Sequence, residues 1–398
     1  MVSKYHIPMS SPDLTAVERE AAAAVLRTPS LSMGEEILAF ETAFCEYTGR
    51  GHAIGVNSGT AGLHLCVRAA GIEEGDLVIT TPFSFVASAN VLLFERAAPV
   101  FVDVDVRTGN IDPDLVEEAA TDLISGRHGG GHWLPRKGVQ PNARLKAILP
   151  VDVFGQPADF DPIQTTAQRF GLKVIEDACE ALGAEYKDRK AGRFGDYSVF
   201  AFYPNKQITT GEGGMIVTDD DQAAGLMRAL RNQGRAPGDT WLSHTHLGYN
   251  YRLDELSAAL GRAQMSRLDE LLTRRERVAE WYNQRLTDLD GLVEIPQLAP
   301  ETSRASWFVY VIRVSAEIDR DLVAKNLDSL GIPARPYFIP IHLQPYMVDR
   351  FAYQPGDFPI SEDLGRRGLA LPFSGVMSED QVEQVCLALA DAIAASRN

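Results

Sequence analysis

Positive charge is scarce in this chain: 38 Lys and Arg stand against 54 Asp and Glu in 398 residues, a formal net charge of −16. Nucleic acids and anionic membranes are held by clustered Lys and Arg, so this balance argues against both and leaves room only for local nucleotide binding. Long apolar runs are missing as well, and none approaches the roughly 20 residues of a membrane-spanning helix. Cysteine is sparse. Cys45, Cys66, Cys179 and Cys386 are widely spaced and form no C-x-x-C pair, which reads as reduced thiols rather than a disulfide framework. The first residues, Met-Val-Ser-Lys-Tyr-His, carry no apolar stretch of signal-peptide type, so a cytoplasmic location is expected. His128, His132, His244 and His246 have no Cys, Asp or Glu at ligand-like spacing, and no metal site is expected. No internal repeat or low-complexity tract is visible.

What is present is alternation. Short apolar stretches, Ala53–Val56, Leu77–Thr80, Val100–Asp103, Leu145–Val151, Val174–Ile175 and Met215–Val217, alternate with helical patterns. Such alternation means βαβ units and a mostly parallel sheet covered on both faces, with ligands at the carboxyl ends of the strands. At 398 residues and 45% hydrophobic, the chain is long enough for about two domains. A long amphipathic region from Arg252 to about Leu289 reads as a bridge to a second, α+β unit, with a strand at Trp307–Val314 and helices at Asp321–Leu330 and Glu379–Ala395. The expected division is an N-terminal segment, 1–30, packing beside the second unit, a large domain over 31–255, and the bridge with a small domain over 256–398.

The residues that carry chemistry fall where that sheet would expose them. Lys206 lies in Phe200-Ala-Phe-Tyr-Pro-Asn-Lys-Gln-Ile-Thr-Thr-Gly-Glu-Gly-Gly214. A lysine amine must be neutral to attack an aldehyde, and apolar, small neighbours disfavour the ammonium. Asp177 ends the strand-like run Leu172–Asp177, a suitable place for the buried carboxylate that a protonated pyridine nitrogen requires. Ala53-Ile-Gly-Val-Asn-Ser-Gly-Thr-Ala-Gly-Leu-His64 reads as strand, small-residue turn and helix start. Its free N–H groups and helix dipole suit a phosphate, although a plain capped helix fits the same residues. In Val78–Ala87 two rings follow a strand; Phe83 reads as core, and Phe85, among small neighbours, as a ring that stacks on a flat cofactor.

Seven blocks in order, Ser58–Ala61, Pro82–Ala87, Phe101–Asp105, Glu176–Glu180, Lys206–Gly214, Gly248–Glu255 and Pro340–Pro345, resemble the DegT/DnrJ/EryC1/StrS family of nucleotide-sugar aminotransferases over nearly the whole chain. The resemblance implies a pyridoxal 5'-phosphate (PLP) fold type I, aspartate-aminotransferase-like large domain with a smaller α+β C-terminal domain. It implies that Lys206 carries PLP covalently as an internal aldimine, that Asp177 pairs with the pyridine nitrogen and that Phe85 stacks on the ring. Ser58, Gly59, Thr60 and Ala61 would hold the phosphate. Glu180 stands where the family often has Gln near the cofactor's phenolic oxygen, so it is either protonated or turned elsewhere. The usual phosphate-binding Ser five residues before the lysine is Ala201 here, and either Ser198 substitutes or one contact is missing. Asn250 resembles the residue that reaches the neighbouring subunit's cofactor, implying a homodimer with shared sites; a helix cap near Leu253 is the alternative.

Because the lysine is kept, the implied reaction is ping-pong transamination of a nucleotide-linked keto-sugar, with L-glutamate as donor. Thr209–Gly214 resembles enzymes acting at the C4 keto group, hence a 4-keto-6-deoxy sugar. Other readings are an aminotransferase for simple amines or amino acids, and a regulatory member without turnover. His342, Arg252 and Tyr337 are candidate substrate contacts, a structural role between two prolines being the alternative for His342, and Arg252, Arg335 or neither serves the donor carboxylate. Ser125–Gly138 is longer than the family's usual link and reads as a surface loop, in which Arg127, His128, Arg136 and Lys137 offer an alternative role in binding a nucleotide diphosphate.

Overall fold

The computed structural model describes residues 6–125, 131–236, 238–240 and 242–397. The chain first forms β1 (His52–Val56), β2 (Leu77–Thr80), β3 (Ala98–Phe101), β4 (Leu145–Leu149) and β5 (Lys173–Asp177). A short hairpin, β6 (Glu185–Tyr186) and β7 (Arg189–Lys190), is followed by β8 (Tyr197–Ala201) and β9 (Gly214–Thr218). Seven of these strands make one sheet in the order β1-β9-β8-β5-β4-β2-β3, and only β9 runs against its neighbours. β2, β3 and β9 are buried along their whole lengths, as a sheet covered on both faces demands. Strand β8, whose end leads to Lys206, was not expected from the sequence. At five residues, Tyr-Ser-Val-Phe-Ala is too short for its pattern to stand out.

A second sheet is built from β10 (Val293–Glu294), β12 (Tyr310–Val314), β13 (Arg335–Pro336) and β14 (Gly368–Leu371), all antiparallel, with β11 (Thr302–Arg304) diverted elsewhere. Helices Leu268–Leu286, Arg320–Ser329 and Glu379–Ser396 cover it, and Tyr282, Tyr310, Leu327, Phe373 and Leu389 share its core. β11 instead pairs with β6, so part of the segment expected to be small-domain chain runs back onto the first body. The N-terminal segment also divides. Ile7 joins the second core and Met9 accepts from the Phe373 N–H, while the helix Ala16–Val25 is tied to the helix Glu255–Met265 through Gln264 and Glu18.

The bridge is two helices, Glu255–Met265 and Leu268–Leu286, because Arg267 leaves helical geometry (φ −115°, ψ 9°). Its guanidinium is taken by Asp13 at 3.0 Å and Glu18 at 2.6 Å. Asp254, not Asn250, caps the first of these helices, accepting from the Ser257 N–H at 2.9 Å.

Glu255 performs a longer-range task. The helix Glu35–Thr48 starts at Gly34, which has no side chain to cap it, and the buried Glu255 carboxylate accepts from the N–H groups of Gly34 (2.9 Å), Glu36 (2.8 Å) and Ile37 (3.3 Å). A Cβ at position 34 would lie 2.7 Å from Glu255 Oε2, so any side chain there would push the capping carboxylate aside. Charge and helix dipole have favourable signs. Glu255→Ala orphans three donors and is expected to cost about 2–4 kcal/mol, read from the urea unfolding midpoint, with Glu255→Gln intermediate.

Candidate active site

The carboxyl ends of β1, β2, β5 and β8 open into a cavity of about 380 Å³. Ser58, Gly59, Thr60, Phe85, Asp177, Glu180, Lys206 and Tyr337 line it, joined by Ser88, Cys179, Ala201, Glu212, Phe308 and Phe338. Eight sequence candidates from five separate stretches are thereby brought together.

Asp177 is 4% exposed, yet its carboxylate is oriented on both sides: Oδ2 accepts from the Ser88 hydroxyl at 2.7 Å and Oδ1 from the Cys179 N–H at 3.2 Å. Ser88 was missed in the sequence. Its signal was the pair Ser84 and Ser88, four residues apart in the sequence, whose hydroxyls lie 3.1 Å apart. Phe83 is core, edge-on to Phe154 and Phe338, whereas Phe85 is 61% exposed over the cavity.

The floor is the start of the helix Gly59–Ala69. Ser58 caps it, its hydroxyl accepting from the Ala61 N–H at 3.0 Å, so that N–H is already committed and Ala61 does not line the cavity. Gly59 and Thr60 do, at the positive end of the helix. The close packing needs glycine: a Cβ on Gly59 would lie 2.8 Å from Ala201 Cβ and 2.9 Å from Cys179 Sγ, and one on Gly214 would lie 2.8 Å from the Ser58 carbonyl. A helix terminus cleared of side chains, a buried oriented carboxylate and an amine on one cavity fit the phosphate, ring nitrogen and aldehyde of PLP.

Lys206 Nζ lies 3.7 Å from Glu180 Oε1 and 3.7 Å from the centre of the Phe308 ring. Glu180 therefore points inward, and its other oxygen accepts from the Phe154 N–H at 2.9 Å. Burial pushes its carboxyl above the ordinary value of 4.5, against the pull of Lys206. The same physics acts on Cys179, whose thiol burial and Asp177 raise far above the usual range.

Three further expectations change. Ser198 is fully buried and donates to Glu176 Oε2 at 2.7 Å, turned away from the cavity, so it does not replace the missing serine and Ala201 lines the wall alone. His342 is likewise fully buried, with Nε2 on Glu362 Oε1 at 3.0 Å and its ring edge-on to Phe358, a packing role. Arg252 bonds Asn232 Oδ1 at 3.1 Å, and Arg335 is exposed; neither lines the cavity. Arg136 forms a two-pronged pair with Asp357, at 2.6 and 2.7 Å, and Lys137 is exposed, while Arg127 and His128 lie outside the described residues. Asn250 is exposed and outside the cavity of its own chain. Among the described residues no group of three or more His, Cys, Asp and Glu could hold a metal, and no helix is long and apolar enough to cross a membrane.

The inward Glu180 carboxyl predicts a pH effect. Its folded pKa lies above its unfolded value, so the native state holds the proton more tightly and this group's contribution to stability falls as pH rises from 4.5 through the elevated folded value. Gln does not titrate. The melting temperature of Glu180→Gln relative to wild type should therefore become more favourable between about pH 4 and about pH 7; a difference flat with pH would show Glu180 to be unperturbed.

Comparison with known proteins agrees with this geometry. The family model described as the DegT/DnrJ/EryC1/StrS aminotransferase family matches residues 12–390. GDP-perosamine synthase of Caulobacter vibrioides is 41% identical over 386 residues, 96% of this chain and 97% of its own. EpsN of Bacillus subtilis, provisionally designated a pyridoxal phosphate-dependent aminotransferase, is 34% identical over 95% of this chain and 94% of its own. Among solved structures, DesV of S. venezuelae superposes with a TM-score of 0.83 at 33% identity, covering 97% of this chain and 98% of its own. The fold is PLP fold type I, the cofactor pyridoxal phosphate and the activity amino transfer: this chain belongs to the DegT/DnrJ/EryC1/StrS aminotransferase family.

Proposed function

We propose that this chain moves an amino group from L-glutamate to a nucleotide-linked keto-sugar of the 4-keto-6-deoxy type, in a ping-pong reaction with PLP carried on Lys206. The observation that carries this reading is the meeting of Lys206 Nζ, the oriented Asp177 carboxylate and a glycine-cleared helix terminus in one cavity. The sugar class is supported by the resemblance to GDP-perosamine synthase, named for a guanosine-diphosphate sugar, and by the Thr209–Gly214 segment.

When bound, PLP supplies an electron sink for the charge left as a C–H bond is broken. The chain does the rest. The N–H groups at Gly59 and Thr60 would receive the phosphate, Asp177 would hold the proton of the ring nitrogen, and Phe85 would cover a ring face. Lys206 Nζ would take the proton from the substrate carbon as a base and deliver it as an acid. Glu180 presents its carboxyl 3.7 Å from that amine. Phe308, Tyr337 and Phe338 form an apolar wall that limits water around it. Asn250, exposed and clear of its own cavity, would complete the site of a second copy in a homodimer.

The test is the visible spectrum of the PLP-loaded chain before and after L-glutamate, followed by a panel of keto-sugars on uridine, thymidine and guanosine diphosphates. The bound-cofactor band should collapse with glutamate and return with a guanosine-linked 4-keto-6-deoxy sugar. Lys206→Ala should lose the band and slow amination by at least about 10³-fold. A wild-type band indifferent to glutamate would overturn the donor, and a band retained in Lys206→Ala would overturn the role of the lysine.

A further inference from the structure

Arg275, on the helix Leu268–Leu286, is 4% exposed and forms no ion pair with any described carboxylate. Burial draws its pKa down to about 10, so it remains a cation at neutral pH. A buried, unpaired guanidinium is costly to retain. Its partners are four main-chain carbonyls in two pairs: Nη2 donates to Asn205 (3.1 Å) and Lys206 (2.6 Å), and Nη1 to Trp307 and Phe308 (both 3.3 Å).

Those two pairs belong to segments a hundred residues apart. One carries the lysine; the other carries Phe308, whose ring lies under the lysine amine. The second segment is strained, since Trp307 adopts φ 29°, a region that bulky residues avoid. Gln207 spans the same gap from the other side, its amide nitrogen reaching the Ser306 hydroxyl at 2.8 Å and the Glu180 carbonyl at 2.5 Å. The lysine peptide is therefore bracketed, and the arginine fork spans both segments at once, as a single ammonium cannot.

We propose that Arg275 is a positioning residue for amino transfer: by holding the Lys206 and Phe308 backbones together it fixes the amine against the Phe308 ring and Glu180. This rests on Lys206 being the reactive amine. A displacement of about 1 Å at such a group can cost on the order of 10²-fold in rate.

Arg275→Met and Arg275→Lys are to be compared with wild type and with Arg274→Met, whose guanidinium is 40% exposed on Asp13 and Glu270. In the cofactor-free chain, hydrogen exchange in Arg275→Met should rise in peptides spanning 204–208 and 305–309 and stay at wild-type rates in the seven-stranded sheet. In the loaded enzyme, kcat for the glutamate half-reaction should fall about 10²-fold while KM moves less than about threefold. Arg275→Lys should change both in the same direction but less, and Arg274→Met should leave both within about twofold. Wild-type exchange and kcat in Arg275→Met would overturn the proposal. So would exchange raised uniformly across the chain in both Arg275 variants, which marks a role in global stability alone. A band retained in Lys206→Ala would sink the reading of the lysine instead, and the cofactor-free exchange result keeps the two failures distinct.

Discussion

A carboxylate removed from water must have its oxygens filled by donors, and the buried Glu176 on β5 organises the neighbourhood of the site by meeting that demand. Its oxygens accept from the N–H groups of Gly192, Phe194 and Gly195 and from the Ser198 hydroxyl. These donors lie in the turn before β8 and on β8 itself. Satisfying Glu176 thus pins β8 beside β5, where Glu176 pairs with Ser198 and Asp177 with Val199. Side chains alternate across a strand, so with Glu176 turned to one face, Asp177 is sent to the other, toward the cavity. The neighbouring Asp152 is pushed far above the ordinary carboxyl range by burial and by the nearby Glu176.

From β8 the chain has few residues in which to reach Lys206, reverse and re-enter the sheet as β9. Antiparallel β9 brings Gly214 against the turn at Ser58, an approach that any side chain there would block. The same crowding clears the helix terminus of side chains. The second sheet enters the site through the segments around Phe308 and Tyr337, and Arg275 and Gln207 tie the first of these to the lysine. The active wall is thus a seam between two separately packed cores.

The segment Gly248–Glu255 shows how a single block serves several ends. Tyr249 and Tyr251 stack at 4.9 Å and pack on the buried His64, which bonds Glu95 at 2.7 Å. Between the two rings Asn250 is left facing outward. Asp254 and Glu255 then cap two different helices, one their own and one more than two hundred residues earlier.

Much was legible in the linear chain. Apolar strands alternating with helical patterns require a covered, mostly parallel sheet, and chemical groups at strand ends in such a sheet converge. Lys206, Asp177, Phe85 and the Ser58 turn could be picked out because each carries its own local signature. What the tertiary structure alone decided were the partners of polar side chains. Ser198 and Ala201 lie on one strand, yet a buried carboxylate on the adjacent strand claimed the serine's hydroxyl. His342 was claimed by Glu362 and Phe358, and Glu180 was turned inward by the Phe154 N–H and the Lys206 amine. Arg275 carried no local signal at all, being one arginine among several on an amphipathic helix. Periodicity records which face of an element is buried, but the identity of the donor or acceptor waiting there comes from chain a hundred or more residues away.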